Sequence, residues 1–202
     1  MVKTLNIHAV NPQARYVNEV VSSLKNKELI ACPTDASYVF ICTLNNKDKL
    51  EQIIKLRSLS SKHPFTLMCK DIAMAARYAY IGNNAFAIMK NHTPAPVTYI
   101  LAATKLVPKT VANSKRKNVG IRVPDNKVCQ AIIEALDEPI VCSTLSIDGE
   151  VLSDPYDIAS DLKGKLDLVI DTEVTSKDVT TVADLSTETL VLERQGIYDF
   201  YA

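Results

Sequence analysis

Only five of the 202 residues are glycine. No G-x-G-x-x-G and no Walker-type loop is present, so a phosphate group would not be cradled mainly by a glycine-rich turn. Positive side chains would have to supply the grip instead. No run approaches the roughly 18 apolar residues of a membrane span. The N-terminal MVKTLNIHAV lacks the apolar stretch and cleavage site of a signal peptide. These absences lead us to expect a cytoplasmic protein with no membrane partner. There is no C-x-x-C pair: Cys32, Cys42, Cys69, Cys129 and Cys142 stand singly in apolar runs. That spacing excludes the usual structural zinc sites and predicts buried thiols in a reducing compartment. Charge of either sign is not in excess, with 23 Lys plus Arg against 23 Asp plus Glu. Bulk charge therefore gives no argument for nucleic acid, and only a local cluster could. His8, His63 and His92 are scattered. No Ser-His-Asp set emerges, and no group of His and carboxylate suggests a metal site.

What remains is a soluble composition, 47% apolar and 23% charged, in a length that suits one domain, residues 1–202. Residues 1–12 are expected to pair or pack loosely at an edge. Tyr16, Val20, Val21 and Leu24 recur at helical spacing over about 13–26. LIACP and SYVFICT read as strands broken by Thr34, Asp35 and Ala36. Small polar groups at strand ends are where open sheets bind ligands. They are equally a plain turn held by local side-chain bonds.

The segment 45–57, NNKDKLEQIIKLR, is a helix ending in two cations, Lys55 and Arg57, before a polar turn that carries His63. Cations at a helix C-terminus are favoured by the dipole alone; the same pair would also suit an anion. FTLMC is a strand, DIAMAARYAY and NNAFAIMKN are helices, and VTYILAAT is a strand. Between Lys105 and Val119 the chain turns basic, with Lys105, Lys109, Lys115, Arg116 and Lys117. This cluster is either a phosphate or RNA contact or solvated surface. VGIRVP is a strand with Arg122 in its middle. An unpaired buried charge would cost several kcal/mol, so Arg122 requires a partner or an anionic ligand. A helix (VCQAIIEAL), a strand (PIVCSTLS), a turn at Asp148-Gly149, a helix begun by Ser153-Asp154-Pro155 and three strands (LDLVIDT, TTVADLS, TLVLERQG) complete the chain, with 197–202 as a short tail. About eight strands and five or six helices, with hairpin and crossover spacings both present, predict an α/β fold on a mixed twisted sheet. The polar residues that break into apolar strands favour binding of an anionic ligand, or nucleotidyl transfer by positioning, over hydrolysis by a nucleophile.

In order, ACPTDASYVF, IIKLRSLSSKHPFTLMCKD, APVTYIL, VGIRVP, SDP, TTVADLS and LERQG resemble the YrdC/YciO-like family, closest to its YciO branch. The resemblance implies a YrdC-like twisted open mixed sheet with flanking helices around a positively charged cavity. It implies an activity like that of threonylcarbamoyl-AMP synthase, which condenses ATP, bicarbonate and L-threonine, releases pyrophosphate, and serves the threonylcarbamoyladenosine modification of tRNA. Mg²⁺ would accompany ATP. The alternative is a non-catalytic protein of the YciO branch that binds double-stranded RNA or nucleotide. By resemblance, Lys55, Arg57, Ser143 and Arg194 match ATP or phosphate contacts. Thr34, Arg122 and Thr180 match substrate contacts, with His63 beside them, and Lys115, Arg116 and Lys117 form the RNA-facing cluster. The chain departs from the synthase pattern at three places. Leu145 stands where the S-x-N motif has its amide, Met68 where a substrate-facing histidine is expected, and Val39 where a glycine is expected.

Overall fold

The computed structural model describes residues 2–60, 63–113, 115, 117–173, 176–187 and 189–201. In chain order these form β1 (Lys3–Asn6), α1 (Ala14–Lys25), β2 (Ile30–Cys32), β3 (Val39–Thr43), α2 (Lys47–Leu56), β4 (Thr66–Met68), α3 (Ile72–Tyr78) and α4 (Asn83–Asn91). There follow β5 (Val97–Ala102), β6 (Asn118–Arg122), α5 (Lys127–Leu136), β7 (Ile140–Thr144), β8 (Ser146–Ile147), β9 (Glu150–Val151), α6 (Pro155–Asp161), β10 (Leu168–Asp171), β11 (Thr181–Asp184) and β12 (Val191–Arg194).

The helices form where periodicity and caps agree. On α1, Val17, Val20, Val21 and Leu24 make one buried stripe. Asn46 caps α2 by accepting the Lys49 N–H, and its amide also donates to the Lys27 carbonyl at 3.0 Å. Asn126 caps α5, and Asp154 caps α6 with Pro155 in the first turn.

Ten strands make one mixed sheet in the order β1-β10-β2-β3-β7-β4-β6-β5-β11-β12. Pairs β1–β10, β10–β2, β4–β6 and β5–β11 are parallel, and the others are antiparallel. Strands β8 and β9 form a separate hairpin across Asp148 and Gly149, both at positive φ, as a primed turn requires. Twelve strands among the described residues exceed the expected eight or so, in part because β8 and β9 have only two residues each and β1 buries only Leu5, so none of the three shows a hydrophobic run.

Register separates the two faces of the sheet. Cys42, Val141, Leu67, Ile121, Tyr99 and Ala183 are successive cross-strand partners from β3 to β11, and all are fully buried. On the opposite face, Cys142, Thr66, Gly120 and Ile100 are partners across β7, β4, β6 and β5. Thr98, Val182 and Arg194 continue that face across β5, β11 and β12. This face is smaller and more polar. At Gly120 a Cβ would lie 2.5 Å from Thr66 Oγ1, so β4 and β6 could not keep this arrangement around a larger residue.

The segment after β12 is packed rather than a loose tail. Tyr198 and Phe200 stack against His92 and Tyr99, with Tyr198 OH 2.9 Å from His92 Nδ1. The Thr181 hydroxyl donates to the Tyr198 carbonyl at 2.6 Å and accepts the Gly196 N–H at 2.9 Å. Gly196 is pressed onto the backbone of residues 179–181, leaving no space for a Cβ. Gly196→Ala is therefore expected to lower unfolding free energy by about 1–3 kcal/mol. Urea titration of the two proteins measures it, and an unchanged midpoint would refute the packing argument.

Candidate functional site

The small-residue face of the sheet floors a cavity of about 310 Å³. Its lining includes Thr66, Thr98, Asn118, Gly120, Arg122, Cys142 and Thr180, with Val39 at β3 and Ser143 and Thr144 at the end of β7. Three further groups enter from the sides: Arg57, the C-cap residue of α2, the 63–65 segment with His63, and Arg194 at the end of β12. Among the described residues, no aspartate or glutamate lines the cavity.

The two peripheral arginines are held by neutral oxygens alone. Arg57 donates from Nη1 to Ser143 Oγ at 2.6 Å and from Nε to Ser146 Oγ at 3.1 Å. Arg194 donates from Nε and Nη2 to the Thr180 carbonyl at 3.1 and 2.8 Å, and from Nη2 to Thr180 Oγ1 at 3.1 Å. Thr180 Oγ1 also meets Thr98 Oγ1 at 3.3 Å. Burial, then the charge of Arg194, pull the Arg57 guanidinium below the ordinary arginine value. Burial does the same to Arg194. Arg57 feels the charge of Arg194, and neither has a counter-carboxylate among the described residues, an arrangement that favours an anion.

Arg122 differs. It is 3% exposed and pairs with Asp35, while its Nη2 also donates to Thr34 Oγ1 at 3.0 Å. Its Nε is buried with no partner. Asp35 Oδ2 accepts the Asp125 N–H at 2.9 Å, so one carboxylate ties β6, the β2–β3 turn and the approach to α5. Thr34 donates to the Ser37 carbonyl at 2.7 Å and accepts from Arg122 and from the Ala36 N–H at 3.1 Å. A hydroxyl has one proton and two lone pairs, so Thr34 is saturated, and it does not line the cavity.

His63 sits edge-on to Phe65 with ring centroids 6.2 Å apart. Burial, then Arg57, lower its pKa below the usual imidazole value, which leaves a neutral ring at pH 7 with one acceptor nitrogen.

Of the expected site residues, the fold brings Arg57, His63, Arg122, Ser143, Thr180 and Arg194 to one cavity. Lys55 is exposed, lies outside the lining and forms no ion pair among the described residues. Lys115 and Lys117 are exposed and do not line the cavity; Arg116 lies outside the described residues. Lys117 instead lines a separate groove of about 510 Å³ with Lys105, Lys109 and Tyr80. Leu145 and Met68 are fully buried members of the core; on the β4 face the residue at the cavity is Thr66. Residues missed by sequence reasoning are Thr66, Thr98, Asn118 and Gly120. The alternation in Asn-Val-Gly-Ile-Arg, 118–122, carries the signal for two of them. The cysteines are buried, and burial raises the Cys42 and Cys142 thiols to about 12. Among the described residues no group of three or more His, Cys, Asp or Glu could hold a metal, and no helix is long and apolar enough to cross a membrane. The cavity's donor set does not fit a resident Mg²⁺, which prefers carboxylates and water.

Fold and lining together define an α/β protein with an arginine-lined cavity on an open sheet face. The chain belongs to the Sua5/YciO/YrdC family: the family model, described as telomere recombination, matches residues 22–196. It is 40% identical to YciO of Escherichia coli K12 over 195 residues, 96% of this chain and 95% of that one. The crystal structure of E. coli YciO superposes with a TM-score of 0.94 at 39% identity, covering 98% of each chain. More distantly, human threonylcarbamoyl-AMP synthase is 25% identical over 151 residues, 75% of this chain and 53% of that one. P. abyssi Sua5, solved in complex with L-threonine, shares the fold with a TM-score of 0.86 at 21% identity, over 96% of this chain and 57% of that one.

Removing Asp35 would strand a buried guanidinium. Asp35→Ala is expected to cost about 3–5 kcal/mol of stability, whereas Asp35→Ala with Arg122→Met recovers most of it. Chemical denaturation of the single and double variants tests this, and a double variant no better than the single would contradict it.

Proposed function

We propose that the cavity binds the triphosphate of ATP and that the chain forms an acyl-adenylate of the threonylcarbamoyl type. The observation that supports this is the pair Arg57, half-buried, and Arg194, exposed, which line one cavity with no carboxylate among its described lining residues. In this reading a threonylcarbamate oxygen attacks the α-phosphorus. The bond to the bridging oxygen breaks, and pyrophosphate leaves with the electron pair. Arg57 and Arg194 hold the phosphates and stabilise the leaving charge, and Ser143 keeps Arg57 in place. Arg122, held by Asp35, lies where it would attract the substrate carboxylate, and Thr180 and neutral His63 bond neighbouring polar atoms. Thr34 acts through Arg122 rather than by contact, and Lys55 contributes field rather than a hydrogen bond. Mg²⁺ would arrive with the nucleotide, offsetting phosphate charge. The cytoplasm, with its ATP and tRNA, is the expected setting.

Incubation with ATP, Mg²⁺, bicarbonate and L-threonine is expected to release pyrophosphate, and Arg57→Ala to weaken ATP binding by about tenfold to a hundredfold with little loss of melting temperature. A folded protein that releases none above background overturns the enzymatic half; equal ATP affinity in Arg57→Ala overturns the phosphate assignment.

A second reading, binding of double-stranded RNA or tRNA, is favoured by the groove that Lys105, Lys109 and Lys117 line without any carboxylate. If these lysines neutralise phosphates, replacing all three with alanine should reduce the log–log salt slope of RNA affinity by about 2–3. An unchanged slope would make the cluster ordinary surface.

A further inference from the structure

A second hollow lies at the carboxyl ends of two central strands. Strands β4 and β6 are parallel neighbours in the order β7-β4-β6-β5. From β4 the chain runs through α3 and α4 to β5, which lies beyond β6. From β6 it runs through α5 to β7, which lies beyond β4. Connections that leave neighbouring parallel strands in opposite directions open a crevice at the strand ends, and open α/β sheets bind ligands there. In this crevice sits a groove of about 620 Å³, a volume that suits a small molecule. It shares no lining residue with the arginine-lined cavity among the described residues.

Part of the groove is apolar, with Ile72, Phe86, Pro94, Val123 and Pro124 in its lining. Phe86 is 47% exposed. Lys90 follows it by one turn on the same face of α4. The neutral polar lining is spent within the fold. The Thr93 hydroxyl donates to the Met89 carbonyl at 2.7 Å, and the Gln130 amide donates to the Pro124 carbonyl at 2.9 Å. The Asn126 side chain accepts the Cys129 N–H at 2.9 Å. The charged lining is not spent in this way. Lys70, Lys90 and Lys127 form no ion pair among the described residues. Two carboxylates share the groove with them, and one of these, Asp71, caps α3 by accepting the Met74 N–H at 2.7 Å. The other is Asp125.

Three ammonium groups against two carboxylates leave a surplus of one positive charge beside an exposed aromatic ring. A dianionic phosphate would exceed that surplus and lie near two acids, whereas the arginine-lined cavity offers it no acid among the described lining. One carboxylate on a flat apolar body matches the groove: the charge meets the lysines, and the ring packs against Phe86.

We infer that this groove is a second binding site, for a small aromatic monocarboxylate. It stands independently of the nucleotide reading. Its wall at 123–126 follows Arg122 directly, and the Asp125 N–H in that wall donates to Asp35 at 2.9 Å, so the two sites adjoin through one segment.

Titration of the ¹⁵N-labelled chain with phenylacetate, followed by amide shifts, tests it. Saturable shifts are expected at residues 70–73, 86–90 and 123–127. Acetate and benzyl alcohol are each expected to bind about tenfold or more weakly, because each keeps half of the contact. Phenyl phosphate is expected to bind the groove no more tightly than phenylacetate. Phe86→Ala with Lys90→Ala, both exposed on α4, is expected to keep the wild-type spectrum away from the groove and to weaken phenylacetate about tenfold. Shifts confined to the cavity residues Thr66, Thr98 and Gly120, or none that saturate, overturn the site. Acetate that binds as tightly as phenylacetate, phenyl phosphate that binds more tightly, or a double variant that binds like wild type overturns the assignment of its ligand.

Discussion

The Arg122–Asp35 pair sets the terms for everything around it. A guanidinium buried at the end of a sheet strand, where β6 stops at Arg122, is tolerable only with a carboxylate held against it. Here that carboxylate comes from the β2–β3 turn, which also accepts the Asp125 N–H. Three parts of the chain far apart in sequence are thereby fixed together behind the cavity. The same commitment ties Asp35 to Arg122. Arg57 and Arg194 are left with serine, threonine and carbonyl oxygens, and the positive field in the cavity follows. A chain with equal numbers of positive and negative residues reaches a strongly one-signed interior by placement rather than by excess.

The shortage of glycine shapes the same result. A glycine-rich loop brings backbone N–H groups to a phosphate from one short segment. This chain would use guanidinium groups from α2 and β12, whose positions depend on the sheet order β7-β4-β6-β5-β11-β12. Gly120 and Gly196, two of its five glycines, sit where a Cβ would collide. One keeps the cavity floor open. The other presses the chain just past Arg194 onto Thr180, the residue that holds it.

Much of this was legible in the sequence, and the misses have physical causes. Helix periodicity, the caps and the apolar strands marked most elements, and the family order of the motifs marked five of the residues that line the cavity, with His63 picked out by its place beside them. The insertion of β7 between β3 and β4 was not legible, because strand pairing is non-local and leaves no local pattern. Lys55 and Arg57 are two positions apart on a helix, and such residues do not share a face, so only Arg57 could turn inward. For Thr34, the plain-turn reading matches the bonds seen: its hydroxyl is spent on Ser37, Ala36 and Arg122. Leu145 and Met68 are core residues, and the side chains on the cavity face had to be found by register instead. The closing segment looked like a tail because its two aromatic anchors, Tyr198 and Phe200, meet partners from the α4–β5 region.

The three cavity arginines are prepared to different degrees, and that difference ranks what the site can hold. Arg57 and Arg194 are immobilised by neutral acceptors, so an arriving phosphate breaks no ion pair and meets guanidinium groups already oriented. Arg122 is spent on Asp35, and a substrate carboxylate would meet it close to a resident negative charge. A polyanion therefore gains more from this cavity than a small acid does. If a relative shares the arginine pair but leaves its counterpart of Arg122 less committed, the two should diverge in their grip on the acid while agreeing on the phosphates. If the proposed function holds, the carboxylate at Asp35, rather than the pair Arg57 and Arg194, is the element that would separate a nucleotide holder from an efficient acyl-adenylate former.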